Sequence, residues 1–382
     1  MKPLLKIGIL LLKFIYGIFK LFPVKDRVVI LSRQSDSPST DINLLYRKIQ
    51  LMHPDYDVIV LSKKFVQDST AFKKLIYIFH ILKQMWYLST SKIAVLDSYC
   101  IPVSLLKHRK SLLIVQMWHS IGTMKKFAYS IVDKAEGSSS EISNLMKMHR
   151  GYDYIFAAGD GYRAHLAEGF GYPIEKIVVM PLPRVELLKS ANYRKKVRKE
   201  IFATYPTLDN GKLNVIYAPT FRKVNDKRFD MALESLCSDF DYSSFNLIVK
   251  PHPLTNVADI NLNQAIMDNR FSTFDMLFAS DVLITDYSCI MYEAAILRLP
   301  IYFYAYDFDE YMSSRDTYID YKSEVPGPVC YDTRSLISKL KEPGYDYDKL
   351  DSFLNKYVYL GSDHETQDIV SFLFEKSNAK EM

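Results

Sequence analysis

The sequence predicts an α/β protein of two doubly wound, parallel sheets, preceded by a helix of different character. Three observations carry this. From residue 26 onward, short Val/Ile/Leu-rich runs alternate with helical stretches, the pattern of parallel strands covered on both faces. The series breaks over residues 187–212 and then resumes. Residues 4–22 are apolar except for three lysines.

A chain of 382 residues suits two domains of ordinary size. With 48% hydrophobic and 24% charged residues it has material for two cores, which excludes a disordered or fibrous protein. A net charge of +5 without a basic–aromatic RNA-binding signature argues against a nucleic-acid partner. Cys100, Cys237, Cys289 and Cys330 are scattered, with no C-x-x-C pair. They read as free thiols in a reducing compartment.

The first segment, LLKIGILLLKFIYGIFKLF, carries Lys6, Lys13 and Lys20 seven residues apart, with Lys2 one turn earlier. At about 100° per residue these four form one stripe of a helix. A spanning helix would place Lys13 near the bilayer centre at a cost of about 2.5–3.5 kcal/mol. A helix lying in the interface points every lysine at water or headgroups. The expectation is therefore an in-plane, membrane-associating helix over 1–25; packing into the protein's own core is the alternative.

Strands are expected at 27–32, 57–61, 93–96, 112–117, 153–157 and 176–180 in the first half. The second half supplies 214–218, 246–250, 282–286 and 301–304. Between the two series lie a cationic stretch, 189–199, and the polar turn Thr207-Leu208-Asp209-Asn210-Gly211. The domain junction is expected there, giving domains 26–195 and 196–382.

Four strand-end motifs carry candidate chemistry. In Asp281-Val-Leu-Ile-Thr-Asp-Tyr-Ser-Cys-Ile-Met-Tyr-Glu293 a buried strand ends at Asp286 and a helix follows. Ser288 is expected as its N-cap, and the helix N-terminus as an anion site. Asp286 and Glu293 are placed to bind ligand hydroxyls; an ordinary capped βα turn is the plain alternative. Lys250-Pro251-His252-Pro253 delivers a histidine between two prolines that restrict the backbone. Trp118-His119-Ser120-Ile121-Gly122 places a second histidine after a strand, followed by Lys125 and Lys126. Histidine is the usual general base near neutral pH. Tyr217-Ala218-Pro219-Thr220-Phe221-Arg222 brings a hydroxyl and a guanidinium suited to a phosphate. Structural packing for the histidines and solvated surface charge for the lysines and Arg222 remain the alternatives. Gly159-Asp160-Gly161-Tyr162-Arg163-Ala164 fits a dinucleotide fingerprint only weakly, since its aspartate would face the pyrophosphate.

WHSIGTMKKF, YAPTFR, KPHP and SDVLITDYSCIMYEAA, in this order, resemble the CDP-glycerol glycerophosphotransferase family of teichoic-acid synthesis. So do IYFYAYDFDEY, VPGP and the earlier VVILSRQSDSPSTDINLLYRKI. QMWH, KKFAYS and MKMHRGYDYIFAAG look closest to the primase branch. Ser120-Ile121-Gly122 departs from the Ala-x-Gly that follows Trp-His in that branch.

The resemblance implies a GT-B-like fold, two Rossmann-like domains facing a cleft. The first domain would bind the acceptor and the second the CDP donor. It implies transfer of glycerol phosphate from CDP-glycerol to a polyprenyl-diphosphate-linked disaccharide at the cytoplasmic face of the cell membrane, releasing CMP. His119 and His252 would be catalytic. Arg222, Thr220, Asp286, Tyr287, Ser288, Glu293, Lys125 and Lys126 would contact substrate. No cofactor or protein-held metal site is expected, although the reading admits Mg2+. CDP-ribitol as donor, polymerase action, a nucleotide-sugar glycosyltransferase and a non-catalytic membrane module are the rival readings.

Overall fold

The computed structural model describes residues 2–64, 70–134, 137–221, 226–252, 255 and 260–381. The chain divides into two compact units. One comprises residues 1–120, 127–186 and 359–382; the other comprises 121–126 and 187–358.

The first unit is built on six parallel strands: β1 (Arg27–Ser32), β2 (Asp57–Ser62), β3 (Ile93–Leu96), β4 (Leu113–Gln116), β5 (Tyr154–Ala157) and β6 (Ile177–Val179). Their order is β2-β1-β3-β4-β5-β6. β1 pairs with β2 from Arg27 opposite Asp57 and with β3 from Val28 opposite Ile93. Val28, Val29, Ile30 and the whole of β3 are buried, which is why these runs lack the polar alternation of a one-faced sheet.

The second unit repeats the plan with β7 (Leu213–Tyr217), β8 (Phe245–Val249), β9 (Ile266–Met267), β10 (Val282–Thr285), β11 (Ile301–Tyr304) and β12 (Val329–Cys330). Their order is β12-β11-β10-β7-β8-β9, again parallel. The expected strands form within a residue or two of their places. β9 and β12, two residues each, are too short to carry a periodicity.

Helices cover the sheets in the usual amphipathic way. In Thr40–Met52, Ser39 accepts a hydrogen bond from the Ile42 N–H at 3.3 Å, and Ile42, Leu45 and Ile49 are fully buried. Such burial is worth roughly 1.5–3 kcal/mol per side chain.

The division between units corrects two expected boundaries. The junction falls between Glu186 and Leu187 rather than after 195, and residues 359–382 return to the first unit. The return has clear causes within that unit. The Tyr359 N–H donates to the Ala158 carbonyl at 2.7 Å, and the Thr366 N–H donates to Glu186 at 2.8 Å. Phe374 lies flat on His53, ring centroids 3.4 Å apart. Lys380 pairs with Asp153 at 2.6 Å.

The N-terminal helix, Lys2–Phe19, has three sectors rather than two. Ile9 and Tyr16 are buried, and Tyr16 Oη lies 2.7 Å from His108 Nδ1. Phe19 meets Trp86 edge to face. Lys6 and Lys13 are exposed along one edge. Ile7, Leu10, Leu11 and Phe14 are each more than half exposed on the remaining side. Among the described residues no helix is long and apolar enough to cross a membrane.

Candidate functional site

In the first unit, β4 ends at Gln116, whose buried amide shapes the next turn. Its Oε1 accepts from the Trp118 N–H at 2.9 Å, and its Nε2 donates to the Ser98 carbonyl at 3.3 Å. Trp118 sits at φ 67°, a left-handed conformation that is costly for a bulky residue. Its indole is held against Phe127 and Phe170, centroids 4.8 and 5.1 Å away.

This turn sends the half-buried His119 back toward β3, where Nδ1 lies 2.9 Å from the Asp97 carbonyl. A carbonyl only accepts, so that bond assigns the proton to Nδ1 and leaves the lone pair on Nε2. Burial lowers the His119 pKa below the ordinary histidine value; the Asp97 carbonyl opposes this and Arg184 adds to it. The imidazole is therefore neutral near pH 7, the state a general base needs.

The Asp97 carboxyl is itself buried and accepts from Ser32 Oγ at 2.7 Å. Burial raises its pKa. Ser32 ends β1 and Asp97 directly follows β3, the pair at which this sheet's strand order reverses. In open α/β sheets that switch point is where ligands bind.

Two residues absent from the sequence reading brace the same turn. Asp41, 1% exposed, accepts from the Arg184 N–H at 2.9 Å and from Arg184 Nε at 2.8 Å. Arg184 Nη2 also bonds Asp41 and donates to the His119 carbonyl at 3.2 Å. Nothing in the sequence links positions 41 and 184.

In the second unit the strand order reverses between β7 and β10, so YAPTF and TDYS lie at that switch point. Asp286 is fully buried; one carboxylate oxygen accepts from both the Thr220 N–H (2.7 Å) and Thr220 Oγ1 (2.6 Å). Thr285 Oγ1 donates to the Ala218 carbonyl at 2.7 Å. Asp286 and Thr220 thus lock two strand ends together.

Tyr287 is also fully buried, its hydroxyl donating to Asp307 at 3.1 Å and its ring stacked on Tyr311 at 3.6 Å. Ser288 is half-buried, and its Oγ accepts from the Ile290 N–H at 3.4 Å. The expected capping arrangement differs: Cys289 precedes the helix Ile290–Ile296 and makes no side-chain cap bond. With only seven residues, the helix offers a short dipole to an anion. Glu293 lies within it, 5% exposed.

KPHP splits into two roles. Lys250 is a brace, its Nζ bonding the buried Asp268 carboxylate at 2.7 Å and the Asp268 carbonyl at 3.1 Å. Burial pushes the Asp268 pKa up, but the Lys250 and Tyr205 hydrogen bonds outweigh it and hold the carboxyl below its usual value. His252 is exposed, its ring 5.3 Å from Phe221. Arg222 lies outside the described residues.

Residues 121–126 belong to this second unit. Lys125 bridges to Thr317, and the Lys126 N–H donates to the Asp316 carbonyl at 2.9 Å. The Lys125 ammonium stands 5.4 Å from the Tyr311 ring centre and Lys126 5.9 Å from that of Tyr318. Gly122 lies so close to Tyr292 that any Cβ would clash with the ring.

A cavity of about 390 Å³ opens beyond β11 and β12, lined by Arg228, Tyr306, Asp307, Phe308, Lys322 and Tyr331. Asp307-Phe308-Asp309 is an Asp-x-Asp pair. Among the described residues no group of three or more His, Cys, Asp or Glu side chains could hold a metal ion.

A family model described as CDP-glycerol:poly(glycerophosphate) glycerophosphotransferase matches residues 15–375. The chain belongs to this family. A teichoic acid poly(ribitol-phosphate) polymerase of Bacillus spizizenii strain W23 is 30% identical over 92% of this chain. The chain spans 57% of that longer relative. A teichoic acid ribitol-phosphate primase of the same strain is 29% identical over 92% of both chains. A teichoic acid glycerol-phosphate primase of Bacillus subtilis strain 168 is 26% identical over 92% of this chain and 89% of its own. The solved wall teichoic acid polymerase TagF superposes with a TM-score of 0.72 at 21% identity, over 96% of this chain and 93% of that one. That likeness establishes the shared α/β fold. Membership makes the chain an enzyme of the teichoic acid phosphotransferase family, whose relatives here divide between glycerol and ribitol.

Proposed function

We propose that the chain transfers one polyol-phosphate unit from CDP-glycerol to a lipid-linked disaccharide in teichoic-acid synthesis. An acceptor hydroxyl attacks the β-phosphorus, the new P–O bond forms, the bond to CMP breaks, and the hydroxyl proton passes to His119 Nε2. The observation that supports this best is the His119 tautomer, with Nδ1–H committed to the Asp97 carbonyl. Donor binding falls to the second unit, through the strand ends at Thr220, His252 and Ser288. TagF has been solved after a soak with CDPG, which favours CDP-glycerol. Relatives named for ribitol phosphate at 30% and 29% identity favour CDP-ribitol as the second reading.

The test is to follow CMP release and product mass with each donor and a lipid-linked disaccharide analogue. One addition from CDP-glycerol supports a glycerol primase, and repeated addition a polymerase. CMP release only from CDP-ribitol replaces the donor. No release from either donor overturns the reading.

We further propose that the chain works at the cytoplasmic face of the cell membrane, docked in plane rather than spanning. Beside the exposed Leu10 and Phe14, the helix Ala71–Thr90 exposes Phe72, Leu75 and Phe79. Lys6, Lys13, Lys73 and Lys74 are exposed on the same two helices. Apolar faces edged by lysine suit an anionic lipid surface. Co-sedimentation with phosphatidylglycerol vesicles should fall when Phe14 and Phe79 are both replaced by Asp. Unchanged binding would remove these helices from the interface.

A further inference from the structure

We propose that Asp41 and Arg184 are positioning residues for His119, holding its turn so that Nε2 faces the acceptor hydroxyl. The inference rests on His119 being the base and goes beyond it by assigning the device that aims it.

The Trp118-His119 turn is strained at Trp118, and strain persists only where surroundings over-determine it. Three anchors do so. Gln116 takes the Trp118 N–H, Asp97 takes the imidazole Nδ1–H, and Arg184 donates to the His119 carbonyl. Of these, only the Arg184 anchor is a charged side chain, and it is oriented by a buried carboxylate. Asp41 receives the main-chain N–H, the Nε and an Nη of Arg184. A carboxylate gripping a guanidinium along its edge fixes the plane of the fork. Nη2 also donates to the His119 carbonyl.

A plain structural ion pair explains this less well. A buried pair is weak evidence for stability, since its desolvation cost approaches its Coulombic gain. This one joins the first turn of Thr40–Met52 to the first residue of Arg184–Lys189, and Arg184 also reaches the backbone of the candidate base. The charged groups acting on His119 are Arg184, which lowers its pKa, and Asp41, which raises it. The Asp97 carboxyl, from β3, is turned to Ser32. The pair therefore holds the turn that aims the imidazole, while burial and the Asp97 carbonyl act more strongly on its proton affinity than the two opposed charges do.

The experiment uses the full chain with 15N-labelled histidine, His119 being assigned by the signal lost in His119→Gln. Its tautomer and titration are read by NMR for wild type, Asp41→Asn and Arg184→Gln, and the pH profile of kcat/KM is measured with the reactive donor. Asp41→Asn should move the His119 titration, and the acid limb of activity, to lower pH. Arg184→Gln should move both to higher pH. Each should lower kcat about 10- to 100-fold, the scale of a small misplacement of a reacting group, with KM little changed. The opposed shifts report the two charges, and a changed His119 tautomer with a loss in kcat but not in KM is the signature that a merely structural pair does not give. The double variant leaves no unpaired charge and serves if a single one fails to fold. It should populate both tautomers and lose kcat to the same extent. Unmoved titrations, or a double variant with wild-type tautomer and kcat, overturn the proposal. A normal NMR response in a protein without transferase activity would instead overturn the functional reading and leave the positioning intact.

Discussion

In the first unit, the histidine after β4 is bonded through Nδ1 to a carbonyl of the neighbouring strand, in a turn braced by a buried ion pair. In the second unit, the histidine after β8 is exposed beside Phe221, while the lysine two residues earlier makes the buried ion pair. Both residues follow parallel strands at carboxyl edges. A group that must accept a proton profits from a fixed tautomer and a lowered pKa. A group that meets a charged phosphate profits from staying solvated and protonatable. Under the proposed function, base work falls to His119 and phosphate contact to His252.

The largest expected effect separates the two histidines. Replacing His119 by Ala should cost about 10²–10⁴ in kcat, the usual worth of a general base. His252→Ala should cost about 10²–10³, as removal of a donor to developing charge does. CMP release across pH should show His119→Ala losing the acid limb, while His252→Ala keeps it. Equal profiles would break the assignment.

Next in size is the structural half of KPHP. Lys250→Met leaves Asp268 buried without its cation, which should destabilise the fold by about 3–5 kcal/mol. Urea unfolding should show the loss, with the activity of the folded fraction retained. A stable but inactive variant would make Lys250 part of the chemistry.

Acid should then distinguish the two units. Burial pushes His108 and His149, both in the first unit, down to about 4. An unfolded histidine protonates near 6.5, so between 6.5 and 4 the unfolded chain binds more protons and stability falls as pH falls. The loss should be on the order of 1–3 kcal/mol per histidine by pH 4. Amide exchange should report it in β3 and β4 before β7 and β8.

Smallest is Gly122→Ala, whose Cβ meets the Tyr292 ring and should cost roughly 1–3 kcal/mol by overpacking. Tyr292→Ala should relieve part of that cost in a thermal-melt double-mutant cycle. Strict additivity would show that the two residues do not meet.

Legibility differed by the range over which each feature is specified. Runs such as RVVILS and IAVL declare buried parallel strands in their own letters, because both faces are covered and no polar alternation interrupts them. A histidine, a serine or a Thr-Asp pair at the end of such a run is visible for the same reason. Asp286 and Tyr287 could be placed at a strand end, yet their full burial could not be read. It depends on Thr220 and Asp307, which follow other strands, and on Tyr311 from the helix Phe308–Ser314. The N-terminal helix showed its lysine stripe, but its apolar remainder looked continuous. Only the packing of Tyr16 and Phe19 on His108 and Trp86 divides it into a bound face and an exposed one.

The sequence by itself determined the α/β class, the two strand series, the motifs at their carboxyl ends and, by resemblance, the family. Tertiary structure alone decided that residues 359–382 rejoin the first unit. It alone decided that Lys250 braces while His252 is exposed, and that Asp41 reaches Arg184 behind His119. The physical reason is common to all three. Local patterns report which side chains seek burial, whereas partners on different elements, 18 residues apart for Lys250 and Asp268 and 143 for Asp41 and Arg184, are chosen by how the layers pack.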